Sequence, residues 1–148
     1  PIREMLDAGV KVGLAVDGSA SNDSSHLLAE ARMAMLLQRV EKGAGALSAQ
    51  EALEMATLGG AAVLGRDDIG SLEPGKAADF IAIDLNRLEY AGALHDPLAA
   101  LIFCAPVKVD LSVINGRVVV EGGQLVGVDL EEVVSWHNRV SRQMVGGP

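Results

Sequence analysis

Aromatic residues are nearly absent from this chain: Phe, Tyr and Trp together make up 3% of 148 residues. Stacking platforms for single-stranded nucleic acid are therefore not expected. Positive charge is scarce as well. Twelve Lys and Arg stand against 20 Asp and Glu, a net charge of −8, whereas a phosphate-binding footprint needs clustered basic residues. The single cysteine, Cys104, can form no internal disulfide, which fits a reducing cytoplasm. No apolar run is long enough to span a bilayer, and the longest, residues 98–107, contains Pro106. No basic segment followed by an apolar one opens the chain, so a signal peptide is not expected. Chelating and nucleophile motifs are missing too. His26, His95 and His137 are scattered, without His-x-His, HExxH or paired-cysteine spacing, so the chain offers no self-contained zinc site. No G-x-S-x-G elbow follows a strand pattern.

What remains is a hydrophobic content of 49%, enough for a sizeable core in a chain of single-domain length. The chain starts at Pro1 with "PIREML", which already reads like the inside of a helix, and it is expected to be the back end of a longer protein. Helical spacing over 2–8 stops at Gly9, and "VKVGLAV" at 10–16 has the β-branched, continuously apolar character of a buried parallel strand. A long helix is predicted over 25–42, ended by Gly43. Ser48 and Glu51 form a capping box that starts another helix through Met55, and Thr57 is a plausible cap for a short helix closing at Gly65. Gly59 and Gly60 suit close packing there; a phosphate loop would need a preceding strand.

The texture changes at Arg66. A turn at Pro74-Gly75 leads into the strand "DFIAID", and "DPLAALIFC" reads as a short helix capped by Asp96. "LSVINGRVVVEGGQLV" is a hairpin over a type I′ turn at Asn115-Gly116, followed by a third short strand after Gly122-Gly123. A last helix begins at Asp129, with Val133, His137, Val140 and Met144 as its stripe. Three parts follow: 1–66 in α/β style, 67–128 rich in strands, and 129–148 as a terminal helix.

Candidates for chemistry are few. His95, His137 and Cys104 read as structural residues. His26 lies beside the loop after the buried strand, where substrate contact is possible. Asp17 ends that strand, within "AVDGSASND", and functional side chains stand at the carboxyl ends of parallel strands. Asp-Gly-Ser also makes an ordinary turn, so position alone leaves both readings open.

Three stretches carry a resemblance to the metal-dependent amidohydrolase superfamily. "VGLAVDGSASND" resembles the last barrel strand and loop of its purine, pyrimidine and triazine deaminase branch. "GSLEPGKAADFIAID" resembles the re-entry into a small β-sandwich, and "VINGRVVVEGGQLV" its final hairpin. With "HLLAEARMAMLLQRV", the chain is most similar to the 8-oxoguanine deaminases and their hydroxyatrazine-hydrolase-like relatives. The resemblance implies an α/β fold: the C-terminal end of a (β/α)8 TIM-like barrel, part of a composite β-sandwich, and a terminal helix. It implies a deaminase that removes the exocyclic amine of a purine-like ring, with 8-oxoguanine or a triazine as substrate.

By the same resemblance Asp17 touches the metal and takes a proton from the attacking water. One divalent metal, zinc or alternatively iron, would lower the pKa of water to about 7. Ser19, Asn22 and His26 are the candidate substrate contacts, although Ser19 and Asn22 suit loop capping equally well. The remaining metal ligands (the family's His-x-His, its later histidines and its acid-shuttling Glu) would precede Pro1, so these 148 residues alone are expected to be inactive and poorly soluble. A small heterocycle is the implied partner, in a homo-oligomer, with neither nucleic acid nor membrane. The competing reading is a non-catalytic chain that lends sandwich and helices to a partner. A free-standing β-rich binding module would leave the first 66 residues without purpose.

Overall fold

The computed structural model describes residues 1–104 and 108–146. Pro106, which breaks the longest apolar run, lies outside the described residues. The elements in chain order are α1 (Ile2–Asp7), α2 (Leu27–Lys42), α3 (Ala49–Glu54), a π turn (Met55–Gly59), α4 (Gly60–Leu64), β1 (Phe80–Ala82), a 3-10 turn (Leu88–Tyr90), α5 (Pro97–Phe103), β2 (Leu111–Ile114), β3 (Arg117–Glu121), β4 (Gln124–Leu125) and α6 (Leu130–Met144). The four strands form one antiparallel sheet in sequence order.

Local chemistry sets most of the boundaries. Ser48 Oγ accepts the Glu51 N–H at 3.1 Å while Glu51 Oε2 accepts the Ser48 N–H at 2.8 Å, closing the expected capping box. Asp96 and Asp129 cap α5 and α6 through the N–H groups of Ala99 and Glu132, each at 3.0 Å. The β2–β3 hairpin turns at Asn115 (φ 49°) and Gly116 (φ 73°), both left-handed, as a type I′ turn demands.

The core lies between α2, α3 and α5. Leu28, Ala31 and Met35 from α2 meet Ala49 and Ala52 of α3, with Leu47, Met55 and Ile102 closing the cluster. Met35, Leu47 and Ile102 are fully buried, each contributing about 1.5–3 kcal/mol through lost water contact. Because Ile102 belongs to α5, the helical core draws on residues on both sides of position 66. Charged groups tie α1 onto this layer. Arg3 Nη1 donates to Glu51 Oε1 at 2.5 Å, its Nε donates to Asp7, and its backbone N–H donates to the buried Gln38. The Ser48 N–H and then the Arg3 guanidinium hold the Glu51 carboxyl down at about 2.

Two expectations need correction. Residues 10–16 are not a strand, because a strand exists only as a ladder partner. The segment pairs with no other strand among the described residues; its Leu14 N–H instead bonds the Met55 carbonyl at 3.1 Å. Nor is it buried, since Val10, Lys11 and Ala15 are exposed. Thr57 is not a helix cap. It lies inside one continuous helix, 49–64, and its Oγ1 donates back to the Leu53 carbonyl at 2.8 Å, the kind of contact that bends helices.

The expected packing role is met at Gly59, whereas a Cβ on Gly60 would meet nothing within 4 Å. A Cβ on Gly59 would stand 2.2 Å from the Val12 carbonyl oxygen, and one on Gly13 would stand 2.9 Å from Gly60 Cα. The two backbones touch where neither Gly59 nor Gly13 has room for a side chain. Outside the helical core, α6 buries nothing: its stripe residues Val133, His137 and Met144 are exposed, with Val140 half-buried. No helix among the described residues is long and apolar enough to cross a membrane.

Candidate active site

The glycine contact fixes where the chain emerges. Gly13 rests on Gly59–Gly60 and Leu14 is held by Met55, so residues 15–17 leave the helical layer in a set direction. At Asp17 the backbone turns left-handed, with φ 61°. Such a conformation is uncommon for a residue with a Cβ, and Asp is among the few that tolerate it. The side chain is exposed, and its Oδ1 accepts the Gly18 N–H at 2.8 Å.

The loop then closes tightly. The Gly18 carbonyl accepts the Ser21 N–H at 2.9 Å, the Asn22 N–H at 3.0 Å and the Ser21 hydroxyl at 3.0 Å. Ser19 is exposed on this turn. Asn22 is half-buried, and its side chain works within the protein. Its Nδ2 donates to Glu30 Oε1 at 2.6 Å, and its Oδ1 accepts from Ser24 N–H and Oγ at 3.1 and 2.9 Å. Ser25 is again left-handed (φ 44°) and delivers the chain to His26, the residue before α2.

His26 lines a cleft of about 550 Å³ between the start of α2, the π turn and the sheet. Ser25, Thr57 and Lys108 are its other polar residues, against apolar walls that include Leu28, Ile81 and Val120. Asp17, Ser19 and Asn22 are not among the residues that line it. The four expected site residues thus share one loop but not one cavity. His95 and His137 are exposed and Cys104 is half-buried, away from this loop in sequence. The pairing of Asn22 with Glu30 had no local signature, since it joins positions eight apart across an irregular loop.

No three His, Cys, Asp or Glu side chains among the described residues come together as a metal site. Asp17 can offer one carboxylate oxygen to a metal, and this chain alone does not complete a coordination shell.

The amidohydrolase family profile matches residues 1–119. The chain belongs to the amidohydrolase family. Its relatives include the 8-oxoguanine deaminase of Pseudomonas aeruginosa, 42% identical over 147 residues that cover 99% of this chain and 32% of that protein. The hydroxydechloroatrazine ethylaminohydrolase of Pseudomonas sp. strain ADP is 46% identical, with 99% of this chain and 31% of that protein covered. Among solved amidohydrolases, the zinc complex of an atrazine chlorohydrolase from Arthrobacter aurescens TC1 superposes with a TM-score of 0.85 at 45% identity, over 91% of this chain and 30% of that one. The chain spans about a third of the length of the curated relatives it matches.

Proposed function

We propose that this chain is the part of a metal-dependent aminohydrolase that carries the proton-transferring carboxylate, Asp17, and that the enzyme removes the exocyclic amine of a purine-like ring. Residues 1–66 would then complete the C-terminal end of a (β/α)8 barrel, with 10–16 as its last strand once paired. Residues 67–128 would belong to a composite β-sandwich, and 129–148 would form a terminal helix. The observation that carries the proposal is the left-handed, exposed Asp17 at the end of a clamped, apolar segment, with its Oδ1 held by the Gly18 N–H of its own loop. Likeness to two ring aminohydrolases along nearly the whole chain supports the reaction class. Zinc in the chlorohydrolase supports a divalent metal, whose chemistry is to bring the pKa of water to about 7.

Asp17 would accept a proton from the attacking water and return it to the departing amine, so that the ring carbon gains an oxygen and ammonia leaves. Ser19 and His26 would meet the substrate. 8-Oxoguanine is the proposed ring, and the triazine relative at 46% identity keeps a hydroxy-aminotriazine as the second candidate. A homo-oligomeric, cytoplasmic enzyme without nucleic-acid or membrane partners belongs to the same proposal.

The test is Asp17→Asn in the intact protein, with release of the leaving amine measured on both rings: ammonia from 8-oxoguanine and ethylamine from a hydroxy-ethylaminotriazine. Asn tolerates the left-handed backbone as Asp does, so the fold should persist. Loss of the proton acceptor should lower kcat by about 10²-fold or more. Turnover within a few-fold of the parent would sink the role given to Asp17.

A further inference from the structure

We infer that Asn22 and Glu30 act as a clamp that fixes the Asp17 loop, making both of them positioning residues; the inference rests on Asp17 being the proton acceptor. Of the loop residues 17–25, Asn22 alone is drawn inward; the other eight are exposed. Its side-chain amide bonds Glu30 and Ser24. Glu30, in the first turn of α2, takes its amide N–H, and Ser24 supplies two donors to its carbonyl oxygen. Its backbone N–H reaches the Gly18 carbonyl, and Gly18 in turn donates its N–H to Asp17 Oδ1. An unbroken line of hydrogen bonds therefore runs from α2, which is anchored in the core by Leu28, Ala31 and Met35, to the carboxylate of Asp17.

The chemistry at both ends suits this role. A charged acceptor against an amide donor is among the stronger hydrogen bonds, and at 2.6 Å this one is short. Asp17 sits in a left-handed conformation that Asp tolerates but that contacts in its own loop must still select. The Gly18 turn is one such contact, and Asn22 connects that turn to a rigid helix. If the clamp lets go, Asp17 keeps its chemistry but loses its aim. Misplacement by about 1 Å can cost on the order of 10²-fold in rate.

The experiment compares Asn22→Ala, Glu30→Ala, Glu30→Gln and the Asn22→Ala/Glu30→Ala double variant in the intact protein, beside Asp17→Asn. Steady-state release of the leaving amine (ammonia from 8-oxoguanine, ethylamine from a hydroxy-ethylaminotriazine) is followed on whichever ring the parent turns over faster. Thermal midpoints are recorded for all. The clamp requires Asn22→Ala and Glu30→Ala each to lower kcat by about 10-fold or more with KM within about twofold. Glu30→Gln, which keeps the acceptor oxygen, should restore most of the rate. The double variant should be no slower than the worse single, because one line is cut twice.

Losses that multiply in the double variant would overturn the clamp. So would a raised KM in Asn22→Ala with Glu30→Ala unaffected, which would make Asn22 a substrate contact. Parent-like kcat in Asn22→Ala beside a dead Asp17→Asn sinks the clamp alone. An active Asp17→Asn sinks the role of Asp17, whatever the clamp variants do.

Discussion

Gly59→Ala and Gly60→Ala differ by one position in the same helix, and the structure requires opposite outcomes from them. A Cβ at Gly59 would lie 2.2 Å from the Val12 carbonyl oxygen and 3.3 Å from that of Glu54. A relaxed carbon–oxygen contact is about 3.3 Å, so the segment 10–16 would have to retreat by about 1 Å. Overpacking of this kind costs about 1–3 kcal/mol. Retreat also stretches the Leu14 to Met55 hydrogen bond, worth about 0.5–1.5 kcal/mol net. Against this stands the helix preference of Ala over Gly, at most about 1 kcal/mol.

Gly59→Ala should therefore lose about 1–3 kcal/mol. At Gly60 nothing lies within 4 Å of the added methyl, so only the helix preference remains and that variant should gain about 0.5–1 kcal/mol. Urea titration of the intact protein, followed by far-UV circular dichroism, reads both. Equal midpoints, or a larger loss at Gly60 than at Gly59, would refute the close-approach argument. Ammonia release adds a second readout. Because the displaced segment ends at Asp17, Gly59→Ala should lose turnover even where it remains folded.

Two further predictions concern stability. The Glu51 carboxyl has an ordinary value of 4.5 and is held at about 2 in the folded chain, so its contribution is complete above about pH 4.5 and fades as pH falls toward 2. With a side chain 36% exposed, that contribution is about 1 kcal/mol after solvent screening. Urea midpoints across this window should flatten in Glu51→Gln; an unchanged pH slope would reject the assignment. At the β2–β3 turn, Gly116→Val forces a branched side chain to adopt φ 73° and should cost about 1–2 kcal/mol, measured by thermal melting, whereas a neutral result would deny the type I′ geometry.

Elements whose instructions lie within four residues were legible in the sequence. The Ser48/Glu51 box, the Asp96 and Asp129 caps and the Asn115-Gly116 turn each close through neighbours along the chain, and each is found where expected. Residues 10–16 show the opposite case. Their apolar, β-branched pattern suits burial between neighbours, but a ladder partner is a non-local fact that no spacing within the segment encodes. Thr57 was misread because a π turn has no composition cue of its own. The α6 stripe has helical spacing, yet spacing says only that a face could be covered, and here Val133 is 47% and Met144 82% exposed. For the site, its place at the end of an apolar run made Asp17 a candidate and the family resemblance gave it a role, while its left-handed backbone and the Asn22–Glu30 pair are set by the folded loop.

The π turn at Met55–Gly59 has a consequence for any edit of this helix. It amounts to one surplus residue absorbed without a loop, so the helix before it and the helix after it run out of phase. Removing a single residue there would restore an ordinary α-helix and keep the helical content almost unchanged. It would also rotate everything downstream by about 100°. Ala61, now buried, would swing away from the layer it packs on, and the glycine surface that receives Val12 and Gly13 would turn elsewhere. Bulk helicity would record almost nothing. The damage would surface some forty residues upstream, in the direction along which the Asp17 carboxylate points.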